Sequence, residues 1–259
     1  MLGFPFELTL VLLLVSIAFF AGIGITTIGP GGIFVTIALY SLTPLASGEV
    51  AGTAHATFVV TGLVGSVAYL YSGEMDTGES RAIAVILSAS SIVGALAGAY
   101  INSFVPRTVF GILLGAVSMA VGAIILYRER RGFTPLYDLD ALERQGQLAL
   151  AGLGVFLGVC SGLLGIGGPV LAVPALVLIG VPMLLAVAVA QVQSIFIAAF
   201  ATAGYALQGE VILPLAVAIG SPLLLGVIMG WKIAYMIEPE RLKLILGVVL
   251  LGVGPYLAL

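Results

Sequence analysis

The chain repeats itself. Gly29-Pro30-Gly31-Gly32 is answered by Gly165-Ile166-Gly167-Gly168, 136 residues on, and each phrase interrupts an otherwise apolar stretch. The register holds without a gap to Ser72-Gly73-Glu74 and Gln208-Gly209-Glu210, with Tyr69 over Tyr205 on the way. Further along, Gly94 and Gly98 answer to Gly226 and Gly230 at a spacing of 132, so the first copy holds about four extra residues before its fourth segment. A fold made from two copies of one unit must place the two interruptions at corresponding points.

Composition says where such a fold can live. Hydrophobic residues make up 61% of the 259 positions and charged residues 8%. Soluble domains average roughly 45–50% and 25%. That much apolar surface needs lipid. The expectation is an all-α polytopic membrane protein, since helices satisfy every backbone group within one segment. A net charge of −3, with no basic tract or aromatic platform, excludes nucleic acid as a partner. The N-terminus, Met1 to Phe6, has no basic region and no small-residue cleavage site after the first apolar run. That run reads as a retained transmembrane helix.

Apolar runs separated by glycine, proline or charge give five segments per half: 6–28, 31–45, 49–72, 81–103 and 106–127, then 147–165, 168–181, 184–207, 211–235 and 240–258. The organisation predicted is a first transmembrane repeat over 1–127, a cytoplasmic linker over 128–146 and a second repeat over 147–259. The second and seventh segments are short for a full crossing, so they read as short or broken helices. Glycines spaced by four in the fourth and ninth segments suit close helix packing.

Orientation follows from the nine Lys and Arg residues. With ten segments, Arg81, Arg128, Arg130, Arg131, Arg144, Lys232, Arg241 and Lys243 fall on odd-numbered loops or their flanks, and only Arg107 on an even one. Positive charge gathers on the cytoplasmic side, which predicts odd loops inside and both termini external. If the short segments were re-entrant the basic residues would split five against four, and the bias would vanish. Ten segments are therefore preferred. Five per half is odd, so the two five-helix repeats are expected to lie inverted in the bilayer.

The chemistry available is sparse. Cys160 is the only cysteine and His55 the only histidine, and acidic side chains keep to loops and helix ends. No metal site, cofactor or catalytic set is expected, and the chain does not read as an enzyme. Glycine breaks, by contrast, expose backbone N–H groups, and a restarting helix aims them, with partial positive charge, at whatever lies in front. Gly29, Gly31 and Gly32 with Gly165, Gly167 and Gly168 are thus candidate anion-binding positions, although tight interhelical turns would use the same residues. Polar residues near the breaks join them: Thr53, His55 and Thr57 in the third segment, Gln191, Gln193 and Ser194 in the eighth. His55 and Gln191 are equivalent positions, as are Thr57 and Gln193. These side chains either complete a donor-rich pocket or hydrogen-bond between helices, and His55 either carries a proton or is fixed as a neutral donor. Glu49 and Glu210 read as helix-end charges.

The glycine phrases, each followed by a short helix and then a small-residue-rich polar one (Gly52-Thr53-Ala54-His55 and Ala188-Val189-Ala190-Gln191), resemble the TauE/SafE sulfite exporter family. The likeness spans nearly the whole chain, with Pro30, Pro169, His55 and Gln191 as departures from the family's usual phrases. It implies a bacterial or archaeal inner-membrane protein that moves sulfite, organosulfonates or related sulfur-containing anions, usually outward. The reading is a secondary transporter working by alternating access on a small anionic substrate within the lipid bilayer. A passive anion channel is the alternative, along with a transporter of another small organic anion. A homodimer stays open.

Overall fold

The computed structural model describes residues 7–131, 141, 143–236 and 240–257. The middle of the expected linker, and the terminal residues Met1 to Phe6, lie outside the described residues. Helices account for every regular element described: α1 (Leu8–Thr27), a single 3₁₀ turn (Pro30–Gly32), α2 (Ile33–Leu42), α3 (Ser47–Tyr71), α4 (Gly78–Asn102), α5 (Arg107–Arg131), α6 (Arg144–Leu164), α7 (Gly168–Leu178), α8 (Met183–Leu207), α9 (Leu213–Ala234) and α10 (Glu240–Leu257). Each coincides with one expected segment to within a few residues. Both ends of the 128–146 stretch are helical, because α5 continues to Arg131 and α6 starts at Arg144. Seven helices are long and apolar enough to cross a membrane; α2, α7 and α10 supply shorter apolar ones.

Glycine decides which helices meet. Gly22 of α1 lies against Gly226 of α9 so closely that a methyl at Gly22 would stand 2.1 Å from the Leu223 carbonyl oxygen. Gly158 of α6 meets Gly94 of α4 in the same way, 2.4 Å from the Ser91 oxygen. The two crossings occupy equivalent positions of the two halves, and in both the backbones run in contact, as small residues spaced by four allow. The wider pattern agrees: α1 packs on α9 and α6 on α4, α3 packs on α9 and α8 on α4. Exchanging the halves turns each pair into the other.

At the centre α3 packs on α8. Gly48 of α3 faces Glu210 just beyond α8, Gly52 faces Tyr205, and Gly62 and Gly65 face Ile195 and Gln191. Numbers rise along one helix as they fall along the other, so these two equivalent helices are antiparallel. On the periphery α5 and α10 pair likewise, Gly111 by Leu257, Gly115 by Gly254 and Gly122 by Gly247. Polar ends are tied down locally. Glu49 accepts the Ala46 N–H at 2.8 Å at the start of α3, as expected for a helix-end acid. Glu210 sits in the loop before α9, where burial and then the neighbouring Glu49 carboxylate push its pKa up. Arg107 donates to the Tyr40 carbonyl in the last turn of α2 and to those of Thr43 and Leu45 beyond it, and lies 4.5 Å from the Tyr40 ring centre. Its charge is thus occupied capping a helix C-terminus.

Candidate functional site

Each break is built by glycines that other residues could not replace. α1 ends at Thr27, Gly29 turns the chain with φ at 100°, and the 3₁₀ turn leads into α2. α6 ends at Leu164, Gly165 closes it left-handed at φ 66°, Gly167 follows at φ 74°, and α7 starts at Gly168. Only glycine takes these positive φ values freely. A helix ending in the buried interior leaves carbonyls that water cannot reach, so side chains must satisfy them.

They do, from matched places. The Gln191 amide donates to the Ile25 carbonyl at 3.3 Å, and His55 Nε2 lies 3.0 Å from the Ser161 carbonyl. Ile25 and Ser161 are equivalent, so each half's polar residue seals the helix end of the other. Tyr69 donates to the Thr26 carbonyl at 2.5 Å and Tyr205 to that of Gly162 at 2.8 Å, each within its own half. Asn102 donates to Leu163 at 2.7 Å, and Thr36 to Gly165. A carbonyl can only accept, so His55 donates from Nε2. Its ring stacks near Tyr205, with centroids 6.3 Å apart.

Between the breaks lies one small cavity of about 10 Å³, lined by Ile25, Gly32, Phe58 and Thr61 of the first half and Ile166, Gly167, Pro169, Val170, Gln191 and Ser194 of the second. That is room for about one water molecule. The Phe58 ring fills the gap, lying against both Gly32 and Gly167. In the first turn of α7, Gly168 donates to Ser194 Oγ at 3.4 Å, Pro169 has no N–H, and Val170 borders the space.

Of the residues singled out from sequence, Gly32, Gly167, Gln191 and Ser194 line this cavity and Gly168 is bonded to one of its walls. Gly29, Gly31 and Gly165 shape the breaks: Gly31 packs on the α1 backbone, Gly29 on Val173 and Gly165 on Ala51. Four others stand outside the lining. Thr53 accepts the Ile212 N–H at 3.1 Å, Thr57 donates to its own helix at Ala54 at 2.7 Å, His55 faces α6, and Gln193 is fully buried elsewhere. Phe58, Thr61 and Ile166 were missed. Thr61 was within reach, one turn beyond Thr57 on the same helix face.

The roles of His55 and Gln191 make a direct expectation. His55→Gln should keep both stability and the pH profile of transport, because a carboxamide already does this work at position 191. His55→Ala leaves a buried carbonyl short of a partner and should lower stability by roughly 1–3 kcal/mol. Thermal unfolding in detergent reads the first effect and flux against pH the second. An altered pH profile in His55→Gln would show that the imidazole titrates during transport.

No curated protein and no solved structure matches the chain. A family model does, described as sulfite exporter TauE/SafE, over residues 14–257. That span holds both glycine breaks, the helices that cap them and the cavity between, so the chain belongs to the TauE/SafE sulfite exporter family of multi-pass membrane transporters.

Proposed function

We propose that this chain exports sulfite or a related small sulfur-containing anion by alternating access between two inverted five-helix repeats. The observation that carries the reading is that both glycine breaks, one from each half, close on a single cavity lined by backbone and by neutral polar side chains. Once opened, such a site would meet negative charge with break-backbone amides and the Ser194 hydroxyl, without a buried cation to hold the anion too tightly for release. The antiparallel run of the equivalent helices α3 and α8 supports the inversion, and so does the pairing of α5 with α10. A space with room for one water is smaller than sulfite, so the site must open toward one side to load. A carrier behaves this way; an open pore does not. With the cell interior negative, exit of an anion is downhill by about 2.3 kcal/mol per charge per 100 mV. Outward movement then requires no coupling ion.

Proteoliposomes holding the purified chain test the reading with labelled sulfite. A carrier gives saturable flux and counterflow, a channel gives large non-saturating current, and absence of both removes sulfite as substrate. The proposed ten-segment topology is checked separately. In a Cys160→Ser background, cysteine at the exposed Asp76 should label from the cytoplasm and cysteine at the exposed Glu7, three segments earlier, from outside. Labelling of both from one side would refute the count.

A further inference from the structure

The Gln193 carboxamide is fully buried, and neither its nitrogen nor its oxygen has a hydrogen-bond partner. It does not line the central cavity, since Gln191 and Ser194 border that space from a neighbouring face of α8. Its own face meets α4. Gly204 of α8 packs on Ala99 of α4, with 3.2 Å between an added methyl and the Ala99 Cβ. At the other end Leu185 of α8 borders the same crevice as Ser80 and Ile83 of α4. The two helices are therefore parallel and in step. Eleven residues, about three turns, separate Gln193 from Gly204 and also Ser88 from Ala99, which brings Gln193 and Ser88 to the same level of the interface. Ser88 is buried, and its hydroxyl too has no partner.

The equivalent place in the other half has its polar group paired. There Gly220 of α9 packs on Thr57 of α3, with 3.6 Å between an added methyl and the Thr57 Cβ, and the Thr57 hydroxyl is bonded to Ala54. At one of two matched contacts the polar side chain is thus satisfied, and the other holds an idle amide and an idle hydroxyl. Hydrocarbon surroundings make such idle groups costly, so they point to an occupant that arrives.

We propose that Gln193 and Ser88 form a second oxyanion site between α4 and α8, occupied when that interface parts and beside the central cavity at the same depth. The amide N–H groups and the serine hydroxyl donate to the oxyanion's oxygens, and Gln193 Oε1 accepts from the O–H of a singly protonated anion. The proposal rests on the transport reading above, and makes α4/α8, not α3/α9, the interface that admits water.

Two measurements on the full chain test it. Gln193→Leu in proteoliposomes should cut labelled sulfite flux by at least about tenfold, the loss of two hydrogen bonds to the passing anion, while raising the unfolding temperature. In a Cys160→Ser background, Ser88→Cys should react with iodoacetamide and Thr57→Cys, as deeply buried at the matching contact of α3 with α9, should not. Undiminished flux in Gln193→Leu, a lowered unfolding temperature, or an unreactive Ser88→Cys would each overturn the site. If the wild-type chain carries no sulfite, the substrate reading fails, and the iodoacetamide contrast still decides whether this interface opens to water.

Discussion

Gly158→Ala is expected to destroy the fold, although it adds only one methyl group to a helix. The new carbon would stand 2.4 Å from the Ser91 carbonyl oxygen and 3.0 Å from both the Ala95 nitrogen and the Gly94 Cα. All three are backbone atoms of α4, so no side chain can turn aside. The helices must separate, and they are the most extensively packed pair in the molecule. Separation also disturbs the end of α6, where Ser161, Gly162 and Leu163 receive the side chains that close the break. Forced overpacking costs about 3 kcal/mol or more when nothing can yield. Gly152→Ala, on the same helix, meets no atom within 4 Å and should be silent, or slightly stabilising through helix propensity. Size-exclusion profiles and unfolding temperatures in detergent distinguish them. A Gly158→Ala protein as monodisperse and as thermostable as wild type would mean that the crossing is looser than described.

Much of this architecture was legible because duplication makes each half a check on the other. The 136-residue register located both breaks and matched Tyr69 with Tyr205 and His55 with Gln191, while the apolar runs placed all the helices. Partners were less legible. That His55 and Gln191 reach the last-turn carbonyls of the opposite half follows from how the halves dock, and carbonyls leave no mark in a sequence. Near the first break, Ile28 and Gly29 both donate to the Gly24 carbonyl, and Ile25 is sealed by Gln191. His55 and Gln191, chosen as anion donors, thus proved to have donors already engaged, since a buried helix end requires them first. Phe58 was invisible for the opposite reason. An aromatic residue in an apolar helix looks like core, and only the approach of Gly32 and Gly167 to its ring shows that it plugs the space between the breaks.

Gly32→Ala should leave the protein folded and remove sulfite binding. Position 32 has φ −59° and ψ −28°, ordinary helical values that alanine prefers. Its methyl would lie 3.3 Å from the Ile166 oxygen and 3.4 Å from the Phe58 ring, close contacts that a small shift of the ring relieves. The other glycines at the breaks make poorer probes. Gly167 has φ 74°, so alanine there strains the backbone, and a methyl at Gly168 would press on the Ser194 backbone at 3.0 Å and prise α7 from α8. At position 32 the change is confined to the cavity, whose volume of about 10 Å³ a methyl group uses up. A bound anion must then displace the methyl or sit away from the amides, and a steric penalty of 1–3 kcal/mol corresponds to roughly 5- to 150-fold weaker binding. The expected result is an unfolding temperature near wild type without sulfite, loss of the upward shift that the proposed site predicts for sulfite on the wild type, and a matching loss of counterflow. Unchanged sulfite affinity in Gly32→Ala would place the anion elsewhere, and the paired breaks would then serve only to turn the chain.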